Sequence, residues 1–231
     1  MFRTFFFLLT FIPWTLFVIF TGVPLTFINP DYLHVYARFW ARLSLLLAGV
    51  RLEVQGVENL PRGNTVIYMP NHQSNFDILA LQAGLPGQFR WLAKEELFRI
   101  PFFGLAIRRI GDIPIDRSNR KKAFQSIAEA SRRIAGGTSV VVFPEGTRSP
   151  DGSLLPFKKG AFVLAIKSQV PVVPVAIRGS REIMPKHNRW IRGGTIRVNI
   201  FPPVETAGRE ISDRDTLMDE VRQPIAKALE S

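Results

Sequence analysis

His72 and Asp77 stand close together in Pro70-Asn71-His72-Gln73-Ser74-Asn75-Phe76-Asp77. Ser74 and Asp77, three apart ahead of the apolar run Ile78-Leu79-Ala80-Leu81, have the pattern of a helix N-terminus with a capping box. His72 then falls on the loop before the helix and Asp77 in its first turn, near enough for a carboxylate to meet an imidazole. A carboxylate on one ring nitrogen fixes the tautomer and leaves the other nitrogen to take a proton from a hydroxyl. The same residues also fit a surface histidine beside an aspartate that only caps. The chain has no cysteine and no Gly-x-Ser-x-Gly, so no side-chain nucleophile is evident.

A second constellation is Pro144-Glu145-Gly146-Thr147-Arg148-Ser149. Glycine lets a backbone approach an anion, the Thr147 hydroxyl can donate, and the Arg148 fork pairs with phosphate. Glu145 is out of place in a pure anion site; it could accept a hydroxyl proton or hold an arginine. Read blandly, the segment is a polar turn. Gly111-Asp112-Ile113-Pro114-Ile115-Asp116-Arg117 holds another Asp-Arg pair, which alone fits a surface ion pair. Val170-Pro171-Val172-Val173-Pro174-Val175-Ala176-Ile177 reads as a buried or edge strand carrying no chemistry.

These segments need a scaffold, and the pattern supplies one. Strands are expected at Arg51–Gln55, Thr65–Met69, Phe89–Ala93, Ile113–Ile115, Ser139–Phe143, Val172–Ile177 and Thr195–Phe201. Helices are expected near Asn75–Ala83, Pro101–Arg109, Arg120–Ala135, Ala161–Ser168 and Asp213–Leu229. The alternation predicts an α/β fold: a single layered domain over residues 51–231 with a largely parallel central sheet.

Ahead of it lies an oily leader. No charge occurs from Thr4 through Pro30, and eight of the 19 phenylalanines fall in the first 30 residues. The run is long enough to span a bilayer, but Pro13 and Pro24 are expected to interrupt it. Asp31–Val50 reads as an interfacial helix with Trp40, Tyr36, Arg38 and Arg42. Residues 1–50 are therefore expected to anchor the chain, either as one span plus an interfacial helix or as a two-helix hairpin in one leaflet. The rest is basic: 30 Lys+Arg against 19 Asp+Glu give a net charge of +11. No helix-turn-helix or aromatic-basic strand motif accompanies that charge, which argues against nucleic acid. Three scattered histidines and no cysteine predict no metal site.

In this order and at these spacings, NHQSNFD, GDIPIDR, FPEGTRS and VPVVPVAI resemble the glycerolipid acyltransferase family, and within it the 1-acyl-sn-glycerol-3-phosphate (lysophosphatidic acid) acyltransferases. The likeness runs from about residue 50 to 205 and includes KEEL, PFFG and FKKGAF. It implies that His72 is the general base and that Asp77 orients it. The acceptor hydroxyl would attack an acyl thioester, acyl-CoA or acyl-carrier protein, with no acyl-enzyme and no cofactor. Arg117, Glu145, Gly146, Thr147 and Arg148 would bind the glycerol phosphate of lysophosphatidic acid; Lys94, Lys158 and Lys159 would offer further contacts to phosphate or to an acidic donor. It further implies phosphatidic acid as the product, a role in phospholipid biosynthesis, and a place at a bacterial inner membrane with the body on the cytoplasmic side. A lyso-ornithine lipid or another lysophospholipid is the alternative acceptor. The oligomeric state is left open.

Overall fold

The computed structural model describes residues 1–61, 63–116 and 118–230. Two apolar helices open the chain, α1 (Phe2–Leu25) and α2 (Pro30–Leu47). After them come β1 (Val50–Gln55), β2 (Ile67–Pro70), α3 (Phe76–Gly84), β3 (Arg90–Lys94), a 3-10 turn at Glu95–Arg99, α4 (Phe103–Ile110) and β4 (Ile113–Ile115). Next are α5 (Arg120–Ala135), β5 (Val140–Val141), α6 (Lys159–Ser168), β6 (Val172–Arg178), the short α7 (Ser180–Ile183), β7 (Gly194–Ile200) and α8 (Arg214–Glu230).

The strands form one sheet in the order β1-β7-β6-β2-β5-β3-β4. Every neighbouring pair is parallel except β6 and β7, so β1 and β7 run against the other five. Strand alternation sends side chains to two cores. Tyr68, Val141, Val173, Val175 and Ile177 face one way, packing with Phe7, Ala41 and Leu45 of α1 and α2 and with α3. Ile67, Met69, Val140, Val172 and Ala176 face the other way, onto α5, α6 and α8. The expected α/β layers with a largely parallel sheet are present, and β6 lies in the interior of the sheet, not at its edge.

The leader departs from expectation at its prolines. α1 runs unbroken through Pro13 and ends only one residue beyond Pro24. A proline removes a single donor, and Thr10, Thr15 and Thr21 add side-chain bonds to carbonyls one turn back. α1 and α2 form an antiparallel hairpin. Trp14 Nε1 donates to the Trp40 carbonyl and Trp40 Nε1 to Thr15 Oγ1, while near the tip Gly22 leaves room for Leu33.

Both ends of α1 rest on the body. Thr4 Oγ1 accepts from the Ile191 N–H at 2.8 Å, and the Arg3 guanidinium packs against Gly49 and Gly193. At the other end, the Phe20 ring meets Phe102 and Arg109 stands over the Phe27 ring. The outer face of α1 is apolar and exposed, from Phe2 and Phe5 through Leu9 and Ile12 to Phe17 and Phe20. By length and composition it is long and apolar enough to cross a membrane, with a mean hydropathy of 2.1 over an 18-residue window.

Candidate active site

β2 ends at Pro70, and the chain turns through Asn71–Asn75 into α3. Asn71 is buried and bridges to the neighbouring strand: its Nδ2 donates to the Ile177 carbonyl at 3.0 Å, and its Oδ1 accepts from the Ile177 N–H at 2.7 Å. The amide thus extends the β2–β6 ladder where the backbone has left it. Asp77, fully buried, accepts through one oxygen from the N–H groups of Gln73 at 2.7 Å and Ser74 at 2.8 Å. The same Oδ2 lies 2.8 Å from His72 Nδ1. The expected capping box is half-formed. Asp77 reaches back to Ser74, but Ser74 Oγ accepts from Phe76 N–H and donates to the Met184 carbonyl, and α3 starts after Asn75.

The loop after β5 clamps the His72 peptide from both sides. Glu145 Oε1 accepts from the His72 N–H at 2.6 Å, and the Ser149 N–H donates to the His72 carbonyl at 2.7 Å. Glu145 Oε2 accepts from the Leu155 N–H at 3.0 Å. Burial pushes the Glu145 carboxyl up to about 7, while the two backbone donors pull it down. Gly146 takes φ +69, and its N–H closes a turn onto the Phe143 carbonyl at 3.0 Å. The His72 ring stacks on Phe143, centroids 3.8 Å apart.

His72 opens onto a cavity of about 390 Å³. Its lining holds the polar residues His72, Gly146, Thr147, Arg148, Lys94, Gln82 and Asp112 together with apolar residues of α1, α2 and α4, among them Val18, Ile19, Leu33 and Ile107. The structure therefore brings His72, Asp77, Gly146, Thr147, Arg148 and Lys94 together. Three residues expected at the site do not line this cavity. Glu145 does not line the cavity, because its two oxygens hold backbone N–H groups. Lys158 and Lys159 are exposed where α6 begins and do not line it either; Lys159 is close enough to Asp215 to act on its charge. Arg117 lies outside the described residues.

Two residues beyond the sequence reading belong here. Lys186 Nζ donates to the Arg148 carbonyl at 2.7 Å and sits within reach of Thr147 Oγ1. Asp112 lines the cavity and accepts from the Trp91 N–H at 2.8 Å; burial pushes its carboxyl up to about 7 against that bond and the nearby Arg90 and Arg133. Asp112 sits in a segment that already drew notice, but Lys186 had no signal beyond its charge. Among the described residues, no three or more His, Cys, Asp or Glu side chains converge as a metal would need.

A family model described as Acyltransferase matches residues 51–178. The chain is 38% identical over 198 residues to the chloroplastic 1-acyl-sn-glycerol-3-phosphate acyltransferase of Brassica napus, covering 85% of this chain and 56% of that one. It is 35% identical over 183 residues to the 1-acyl-sn-glycerol-3-phosphate acyltransferase of Haemophilus influenzae, covering 79% and 75%. The crystal structure of the 1-acyl-sn-glycerophosphate acyltransferase of Thermotoga maritima superposes with a TM-score of 0.85 at 30% identity, over 99% of this chain and 93% of that one. The chain spans little more than half of the plant relative's length. With the family model across most of the sheet and a solved relative matched along nearly its whole length, this chain belongs to the glycerolipid acyltransferase family, among the 1-acyl-sn-glycerol-3-phosphate acyltransferases.

Proposed function

We propose that the protein transfers an acyl chain from a thioester to the sn-2 hydroxyl of 1-acyl-glycerol-3-phosphate, forming phosphatidic acid. The observation that carries this is the His72–Asp77 pair, 2.8 Å apart, on a cavity lined both by basic residues and by an apolar wall. With Nδ1 held by the carboxylate, Nε2 is the nitrogen left to take the acceptor's proton. The hydroxyl oxygen then bonds to the thioester carbonyl carbon, the C–S bond breaks, and the leaving thiolate recovers the proton from His72. Ser74 and Ser149, the serines of the two central motifs, are engaged elsewhere, with Met184 and with Asp151, which supports direct attack without an acyl-enzyme. Arg148 and Lys94 supply charge for a phosphate, with Lys186 behind the Arg148 loop. The relatives' names support lysophosphatidate as the acceptor.

The membrane reading goes with it. A helix of 24 residues is about 36 Å long, enough to cross hydrocarbon of about 30 Å. Yet α1 touches the body at both ends, so a crossing would pull the body into lipid. We favour the hairpin lying in one leaflet with the outer face of α1 in hydrocarbon and basic residues at the head groups.

The test is a purified-enzyme assay crossing acyl-CoA and acyl-carrier-protein donors with lysophosphatidate, lyso-ornithine lipid and larger-headed lysophospholipids, with His72→Ala as control. Turnover with lysophosphatidate that vanishes in His72→Ala is expected. Equal or better turnover of an acceptor without a terminal phosphate would overturn the assignment.

A further inference from the structure

Residues 95–110, between β3 and β4, have two faces. Leu97, Phe103, Ala106, Ile107 and Ile110 line the cavity. Ile100, Phe102 and Leu105 point out to solvent, Phe102 with 54% of its surface exposed. Phe102 sits at φ 60, ψ −51, and the Phe103 N–H donates to the Pro101 carbonyl at 2.6 Å. That is the rarer, strained form of γ-turn, and a phenylalanine at positive φ is uncommon. Gly104 is required next to it, because a side chain there would strike the Phe98 carbonyl. A strained turn that displays an aromatic ring to water calls for an environment other than water.

The outer face of α1 supplies that context. The Phe102 and Phe20 rings are 5.3 Å apart, and Arg109 covers the Phe27 ring at 4.3 Å. The exposed apolar surface of α1 therefore continues onto this segment, bordered by exposed Arg99, Arg108 and Arg109. Apolar side chains edged by arginines suit hydrocarbon beneath anionic head groups.

The geometry points to residues 95–110 as a second lipid-inserted element: a lip on which Phe102 enters the same leaflet as α1, and past which the lyso-lipid moves sideways into the cavity. It rests on the one-leaflet reading of α1 above. Its occupant is the hydrocarbon of the leaflet, because the patch is continuous with the exposed apolar face of α1 and its other face walls the cavity.

The chain has no cysteine, so single reporters can be placed cleanly. Phe102→Cys, Leu9→Cys on the outer face of α1 and Phe124→Cys on α5 are each labelled with nitrobenzoxadiazole and mixed with phosphatidylglycerol–phosphatidylcholine vesicles. Labels at 102 and 9 should shift to the blue and be quenched by lipid spin labels, while the label at 124 stays as in water. A buried label at 9 with a water-exposed label at 102 would overturn the lip and leave the anchor standing; water exposure at both would remove the one-leaflet reading itself. Phe102→Gly tests the passage, since glycine keeps φ 60 without strain. It should lower kcat/KM for vesicle-borne lysophosphatidate about tenfold, the scale of taking one phenylalanine out of hydrocarbon. For a short-chain acceptor dissolved as monomers, kcat/KM should not change; an equal loss on both acceptors would count against the lip.

Discussion

Asp77 Oδ2 gathers three donors: His72 Nδ1 and the N–H groups of Gln73 and Ser74. The backbone donors fix the carboxylate, and the carboxylate fixes the ring. Asp77→Asn keeps an acceptor for the backbone but not the negative charge that would stabilise a protonated imidazole. We expect kcat to fall by about 10²–10⁴, with KM for the acceptor and the circular-dichroism melt little changed. A variant within threefold of wild type would remove Asp77 from the proposed mechanism. The pairing of His72 with Asp77 was legible because both belong to one turn and one helix start. The task of Glu145 was not, since its partner is a backbone N–H 73 positions away that no side-chain pattern reports. By residue type a carboxylate was out of place in an anion site, and the family resemblance alone gave it to the glycerol phosphate. In space it braces the peptide of His72, and activity losses at Glu145 should be read first as losses of His72 placement.

Among the elements, strand and helix positions followed closely from hydrophobic period, and Arg120–Ala135 is bounded as the pattern indicated. The order of strands was not legible. Alternation says which side chains share a face, but not that β7 inserts between β1 and β6 and runs against β6. Asn71 has its effect at this scale, joining the loop after β2 to β6 through two bonds. Asn71→Ala leaves the buried Ile177 N–H and carbonyl unpaired, and a loss of about 2–4 kcal/mol is expected by urea unfolding. Asp112 links β3 to β4 and gives the sheet a pH dependence. Its carboxyl is raised from the ordinary aspartate range to about 7, so the folded state holds a proton that the unfolded chain has released. Stability from this group is complete at low pH and is lost as pH rises through about 7. Asp112→Asn keeps an acceptor for the Trp91 N–H and removes the ionisation. Its urea midpoint should exceed that of wild type above neutrality, with the advantage shrinking towards acid; a constant difference across pH would contradict the assignment.

Over the whole molecule, the sequence showed an oily leader and a basic body, but not that they share a core. Phe7, Ala41 and Leu45 of α1 and α2 are buried with Tyr68, Phe76 and Val175 of the body. The prolines suggested a break that does not occur, because contact along the full length of α1 outweighs one missing donor at Pro13. On this helix neighbouring residues face opposite ways: Thr15, Val18 and Ile19 line the cavity, while Leu16, Phe17 and Phe20 are exposed. Ile19→Phe should cut turnover with the longest acyl chains about tenfold, as an overpacked wall would, and leave vesicle binding as it was. Phe17→Ala should weaken vesicle binding about tenfold without changing chain preference. Vesicle sedimentation and an assay across chain lengths measure both, and crossed effects would show that the faces are not independent. Adjacent positions of α1 thus carry separable tasks under the proposed function. On the proposed function, a substitution at an inward position would change which acyl chains the cavity takes, while one at an outward position would change only how firmly the protein holds to lipid.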